Sequence, residues 1–192
     1  MRAFEVTTTA DMNRVWALTY QEYLRSSYCE PQPDGLLRHF PHLDGIPETR
    51  VFAVEDDDGV MQATNSATVD GVAGLHTDLE YPDETEAERV ACFNARPQLR
   101  LGSSWRIVTN SGCRGRPKFV RAIVGITIEL AGPDQDVTLF TFAKAHARLW
   151  EDFLGLKVIA GPRSDKSVNG TPGVLMRGER EVMARQWQRM KK

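Results

Sequence analysis

Eight consecutive residues carry the densest chemistry of the 192-residue chain: Ser111, Gly112, Cys113, Arg114, Gly115, Arg116, Pro117 and Lys118. The two glycines let the backbone turn tightly and aim successive amides the same way. Pro117 suits the first turn of a helix, where its missing N–H costs nothing. Residues 105–110 alternate ahead of the turn, with Trp105, Ile107 and Thr109 on one side and Arg106, Val108 and Asn110 on the other, which predicts a strand. A strand, a glycine turn with three cations and a helix N-terminus together make a cradle for an anion such as a phosphate. Basic glycine turns also join strands to helices without binding anything.

Other polar residues are candidates for proton transfer or substrate contact. His76 and Asp78 fall in a polar stretch ahead of the predicted strand, where a plain loop is the competing reading. His146 sits within an apolar helical stripe, which predicts a buried, hydrogen-bonded ring, although an imidazole titrates near neutrality and suits a relay. Asn65, Ser66, Thr109 and Asn110 lie on predicted strands and could bind an acceptor or donate to an oxyanion. Arg163 could pair with a carboxylate or phosphate. Trp16, Tyr20 and Tyr23 could line an apolar tunnel, or simply pack the first helix on a sheet. No histidine, cysteine or carboxylate spacing predicts a metal site.

These residues need elements to hold them. Residues 4–8 predict a first strand and 11–26 an amphipathic helix, with Thr8 and Asp11 as a capping pair. Residues 28–47 hold four of the ten prolines and read as irregular, with a short helix near 36–40. Residues 50–55 and 60–69 are strands joined at Asp56–Gly59, an Asp-Gly hairpin. A helix is expected over 83–93. After the turn, Phe119, Ile123, Ile126 and Leu130 form a helical stripe, while Val124, Ile126, Ile128 and Leu130 alternate like a strand; the length favours helix. Gly132-Pro133 ends that helix. A strand over 137–141 and a helical stripe from Phe142 to Leu154 follow, stopped by Gly155. Residues 158–160 and 174–176 are final strands around a loop over 161–173. A basic helix with Met183, Trp187 and Met190 on one face closes the chain from about residue 178.

Composition bounds the rest. A 41% hydrophobic fraction in 192 residues suits one domain, spanning 1–192, of mixed α/β class with an open sheet. A net charge of −2 argues against nucleic acid as a partner. Cys29, Cys92 and Cys113 make no disulfide framework, and the N-terminus has no signal-peptide pattern, so a cytoplasmic location is the default. The basic tail can lie on anionic lipid or meet an acidic carrier protein; a terminal helix docked on its own domain is the plainer reading.

The element order resembles the GCN5-related N-acyltransferase fold, an α/β (α+β) arrangement with a mixed, mostly antiparallel sheet flanked by helices. Two stretches sharpen the likeness. Residues 74–84 (GLHTDLEYPDE), and above all residues 146–156 (HARLWEDFLGL) with Gly161-Pro162-Arg163 and Val168-Asn169-Gly170-Thr171-Pro172, resemble the long-chain N-acyl amino acid synthases, relatives of the acyl-homoserine lactone synthases.

That resemblance implies transfer of a fatty acyl group from an acyl-carrier protein, or from acyl-CoA, to the α-amine of an amino acid. No tightly bound cofactor is implied, only the phosphopantetheine thioester as co-substrate, with its phosphate on the 111–118 turn. It further implies Trp16, Tyr20, Asn65, Asn110, Trp150 and Arg163 around the substrates. The chain departs from the family pattern twice: residues 105–110 hold no carboxylate where the relatives carry a Glu, and Trp150 stands where a Tyr is usual. His76, Asp78, Thr109 and His146 are the substitutes the sequence offers for catalysis.

Overall fold

Thr8 starts the first helix, three residues beyond the first strand. Its hydroxyl oxygen accepts the amide of Asp11, so the chain turns out of the sheet there. In a computed structural model that describes residues 1–113, 117–130 and 135–190, the elements are β1 (Arg2–Glu5), α1 (Thr9–Arg25), β2 (Thr49–Glu55), β3 (Met61–Val69), α2 (Pro82–Ala95), β4 (Gly102–Thr109), α3 (Pro117–Leu130), β5 (Val137–Ala143), α4 (Ala147–Leu154), β6 (Lys157–Asp165), β7 (Thr171–Glu179) and α5 (Arg180–Met190). The strands form one sheet in the order β1-β2-β3-β4-β5-β7-β6. Every neighbouring pair is antiparallel except β4 and β5. This is the mixed, mostly antiparallel sheet expected.

The period of two along β2 assigns the layers. Val51 and Ala53 pack under α1 with Val15 and Leu18. Phe52 and Val54 face the other way, into a larger core with α3, α4 and α5. Over β5 and β7, α2 brings Cys92 against Leu139 and Leu175, beside Leu75 and Tyr81. So α1 and α2 cover one face and the last three helices the other.

Several expectations need correction. The first strand is Arg2–Glu5, not 4–8. No helix forms over 36–40; the segment runs as turns, and Phe40 takes a left-handed φ of 53° just ahead of Pro41. The 161–173 loop is mostly strand, because β6 and β7 pair from Lys157↔Arg177 to Asp165↔Thr171 and absorb Gly161-Pro162 as a register shift. The terminal helix is docked on its own domain, the plainer of the two readings: Met183 and Trp187 of α5 are buried in the core, while Arg185 and Arg189 are exposed. No helix among the described residues is long and apolar enough to cross a bilayer. The α3 segment is a helix, as its length suggested; its predicted stop at Gly132-Pro133 lies outside the described residues.

Two irregularities in β4 shape everything that follows. Its pairing with β3 runs Ser66↔Trp105 and then Thr64↔Val108, so Asn65 faces two residues, Arg106 and Ile107. This is a β-bulge, and Arg106 takes a left-handed φ of 57° within it. The bulge breaks the expected alternation. Trp105 and Val108 now share the α1 face, while Ile107 turns to the α3 face. The second irregularity is that β4 and β5 pair only over Gly102↔Thr138, Ser103↔Leu139 and Ser104↔Phe140. Beyond Ser104 the two strands part.

Candidate active site

The parted strands leave a cleft of ≈ 250 Å³. Trp105–Thr109 of β4 form one wall and Thr141–Ala143 of β5 the other. The end of α1 supplies Glu22 and Tyr23, the irregular segment His39 and Phe40, and the β6–β7 end Asp165 and Thr171.

Arg106 is the charged centre of this cleft. Its side chain is withdrawn from solvent. Nη2 donates to Asp44 Oδ1 at 2.5 Å, and Asp44 also accepts from Trp16 Nε1 at 3.0 Å. The guanidinium lies 4.3 Å above the Trp105 ring. Its Nε and Nη1 are buried with no hydrogen-bond partner among the described residues. Burial pulls its pKa down and Asp44 opposes that fall. The same burial acts on its neighbours. His39 is pushed down to about 3, by burial first and by Arg106 second, and the Tyr23 phenol is pushed well up. Glu22 and Asp165 are the carboxylates on the cleft wall. Glu22 accepts from Arg25 and from the amide of Ser111. Asp165 Oδ1 accepts from the amide and hydroxyl of Ser167.

On the opposite face of the sheet a narrow apolar recess opens under α3. Ala67, Ile107, Val124, Ile128, Phe140, Leu154 and Met183 line it. Its polar atoms are tied together: Ser104 Oγ donates to Asn65 Oδ1, Asn65 Nδ2 to Thr127 Oγ1, and Thr127 to the Ile123 carbonyl. Ser104 and Ile107 line both recess and cleft, so the two cavities adjoin across β4 where it separates from β5.

The residues picked from sequence divide. Thr109 and His146 line the cleft, and His146 is exposed at its edge rather than buried, because the turn Lys144–His146 lifts it off the apolar stripe. Asn65 lines the recess. His76 stands one layer behind the cleft, against Thr141. Asp78 does not line the cleft: its carboxylate accepts from Arg89 and from the amide of Leu75, which is a structural use. Trp16 and Tyr20 line neither cavity. Trp16 donates to Asp44 and Tyr20 accepts the amide of Gln32, so both pin the irregular segment to α1. Trp150 is a core residue stacked on Phe142 at 4.6 Å. Arg163 is tied to Glu84 and to the Glu80 carbonyl, over the Tyr81 ring.

The glycine turn is a 3-10 turn, Ser111–Cys113, at the mouth of the parted strands. Its amides already have acceptors: Ser111 meets Glu22, Gly112 meets the Asn110 side chain, and Cys113 meets the Asn110 carbonyl. Cys113 is buried against Gln62. Lys118 is exposed at the start of α3. Arg114, Gly115 and Arg116, the heart of the expected cradle, lie outside the described residues.

Sequence reasoning passed over Arg106 and His39, two cleft groups whose pKa burial pulls down. Arg106 did leave a signal, a charge between Trp105 and Ile107 in an otherwise apolar stretch.

Known proteins are similar to this chain in the same sense. A family model described as N-acyl amino acid synthase FeeM matches residues 14–179. No curated protein matches. Among solved structures, the N-acyl amino acid synthase FeeM from uncultured soil microbes superposes with a TM-score of 0.71 at 16% identity, over 97% of this chain and 99% of that one. TofI, solved in a ternary complex with an inhibitor and MTA, gives 0.65 at 12% identity, over 98% and 97%. A GCN5-related N-acetyltransferase from Kribbella flavida gives 0.56 at 18%, over 93% and 96%. At these identities the likeness establishes the fold, which is the GCN5-related one.

Proposed function

Because the chain belongs to the N-acyl amino acid synthase FeeM family, we propose that this acyltransferase moves a fatty acyl group from the phosphopantetheine thioester of an acyl-carrier protein to the α-amine of an amino acid. The observation that carries the reading is the junction of two unlike cavities at Ser104 and Ile107. Acetyl transfer needs only the cleft. A fatty acyl chain needs an apolar continuation, and the recess under α3, ≈ 40 Å³ as it stands, marks where one would open on acyl binding. On the cleft side, a buried guanidinium with two nitrogens unpartnered among the described residues suits the carboxylate of an amino acid better than a plain amine.

The reaction asks little of the protein. The amine nitrogen bonds to the thioester carbon, the carbonyl pair moves onto oxygen, and its return breaks the C–S bond. The thiol leaves with the proton that the amine gives up. The cleft aligns the reactants, and we assign Asp165, a cleft carboxylate held by Ser167, to take the proton from the amine and pass it to the departing thiolate.

The test uses the full chain with dodecanoyl-acyl-carrier protein and a mixture of amino acids, following free thiol and acyl amino acid by mass spectrometry. Release of both is expected. Turnover of dodecanoyl-CoA alone would move the donor to coenzyme A. Turnover of acetyl-CoA alone would overturn the fatty acyl reading, and binding without thiol release would make the chain a silent acyl-binding module.

A further inference from the structure

The strands part after Ser104↔Phe140, so Thr141 is the first residue of β5 beyond that pairing, and it lines the cleft. Its Oγ1 lies 3.1 Å from Nε2 of His76. His76 begins the short turn His76–Asp78 ahead of α2 and is 2% exposed. Its ring sits 5.4 Å from that of Phe40 and 6.4 Å from that of Trp105. The second nitrogen, Nδ1, is buried with no hydrogen-bond partner among the described residues.

A buried imidazole with aromatic neighbours stays neutral, and burial pulls this one down to about 3. It therefore holds one ring proton. On Nδ1 that proton would be a buried N–H donor without an acceptor. On Nε2 it leaves only an unfilled lone pair, the less rare defect. The proton belongs on Nε2. Nε2–H then donates to Thr141 Oγ1, and the threonine keeps its own O–H to donate elsewhere.

We propose that Thr141, oriented by His76, donates a hydrogen bond to the carbonyl oxygen of the acyl group being transferred. The proposal rests on the acyl-transfer reading above. Thr141 follows Phe140, the partner of Ser104, and Ser104 is where recess and cleft adjoin. An acyl chain passing from one to the other brings its carbonyl end to this point. A donor already aimed there stabilises the charge that gathers on oxygen as the amine adds. His76 touches no reacting atom and is a positioning residue.

Three measurements test this. Nitrogen-15 spectra of histidine-labelled protein should show His76 as the Nε2–H tautomer; the Nδ1–H form would overturn the assignment. Isotope-edited infrared spectra of carbonyl-labelled dodecanoyl-acyl-carrier protein bound to the full chain should show the carbonyl stretch rising in Thr141→Val and unchanged in Thr141→Ser. A band indifferent to Thr141→Val would overturn the donor role. A probe that fails to bind the wild-type chain would instead overturn the acyl-donor reading, and this assignment with it. In thiol-release kinetics, Thr141→Val should lower kcat about 100-fold with the acceptor KM little changed. A loss confined to the acceptor KM would overturn the proposal. His76→Leu should lower kcat in the wild-type background and do nothing further in Thr141→Val; equal losses in both backgrounds would reduce His76 to a structural role.

Discussion

Arg106 combines three costs that a residue rarely bears together: a left-handed backbone, a buried charge and two guanidinium nitrogens unpartnered among the described residues. Each is understandable if the side chain serves an anionic ligand. Arg106→Gln should raise the amino-acid KM about 10–100-fold, the scale of one charge-assisted hydrogen bond, and leave the donor KM alone. Gln would also strand Asp44, so the variant should melt early. Adding Asp44→Asn should restore most of the melting temperature and none of the affinity. If affinity returns with stability, Arg106 is only scaffolding. Asp165→Asn keeps the Oδ1 that caps Ser167 and removes the carboxylate. Its kcat should fall at least 100-fold, consistent with the usual worth of a general base, with melting temperature nearly unchanged; a wild-type kcat would exclude Asp165 as proton acceptor.

At the scale of elements, what could be read in the sequence was local. The Asp-Gly hairpin at Asp56–Gly59, the Thr8 cap and the Gly155 helix stop each depend on a few adjacent residues, and each is in place. The bulge at Arg106 was illegible, because an arginine has no intrinsic reason to adopt φ of 57°; pairing with β3 on one side and parting from β5 on the other impose it. Gly161-Pro162 misled in the opposite sense, reading as a loop where β7 holds the chain in register on either side. The cleft itself draws Tyr23, His39, Arg106, Thr141 and Asp165 from separate elements, which no spacing in the sequence reveals. The recess under α3 makes a separate prediction. Val124→Phe should fill it from the helix side and shift preference toward shorter acyl donors. Each methylene denied burial should cost about fourfold in kcat/KM, near 0.8 kcal/mol. Equal turnover of hexanoyl and dodecanoyl donors by this variant would place the chain elsewhere.

The whole molecule records the buried histidines in its acid stability. Unfolded histidines bind a proton near pH 6.5, whereas His76 and His39 remain neutral in the fold down to about 3. Between those values the unfolded state binds more protons, so stability present above pH 6.5 is lost as the pH falls toward 3. Each ring contributes a slope of up to about 1.4 kcal/mol per pH unit. Urea titrations from pH 7 to 4 should show that slope reduced in His76→Leu; an unchanged slope would mean the ring is protonated in the native state.

The C-terminal helix is keyed most tightly to the body of the protein at Gly125. A β-carbon at Gly125 of α3 would collide with the Trp187 ring of α5, and that indole is part of the main core. Gly125→Ala should therefore lower stability by about 1–3 kcal/mol, an overpacking cost rather than the gain that alanine usually brings to a helix. Pairing it with Trp187→Phe should recover part of that loss in thermal melts. Residues 125 and 187 are in effect a single heritable unit. A larger residue at 125 calls for a smaller one at 187, so the choice of side chain in α3 sets what α5 can carry.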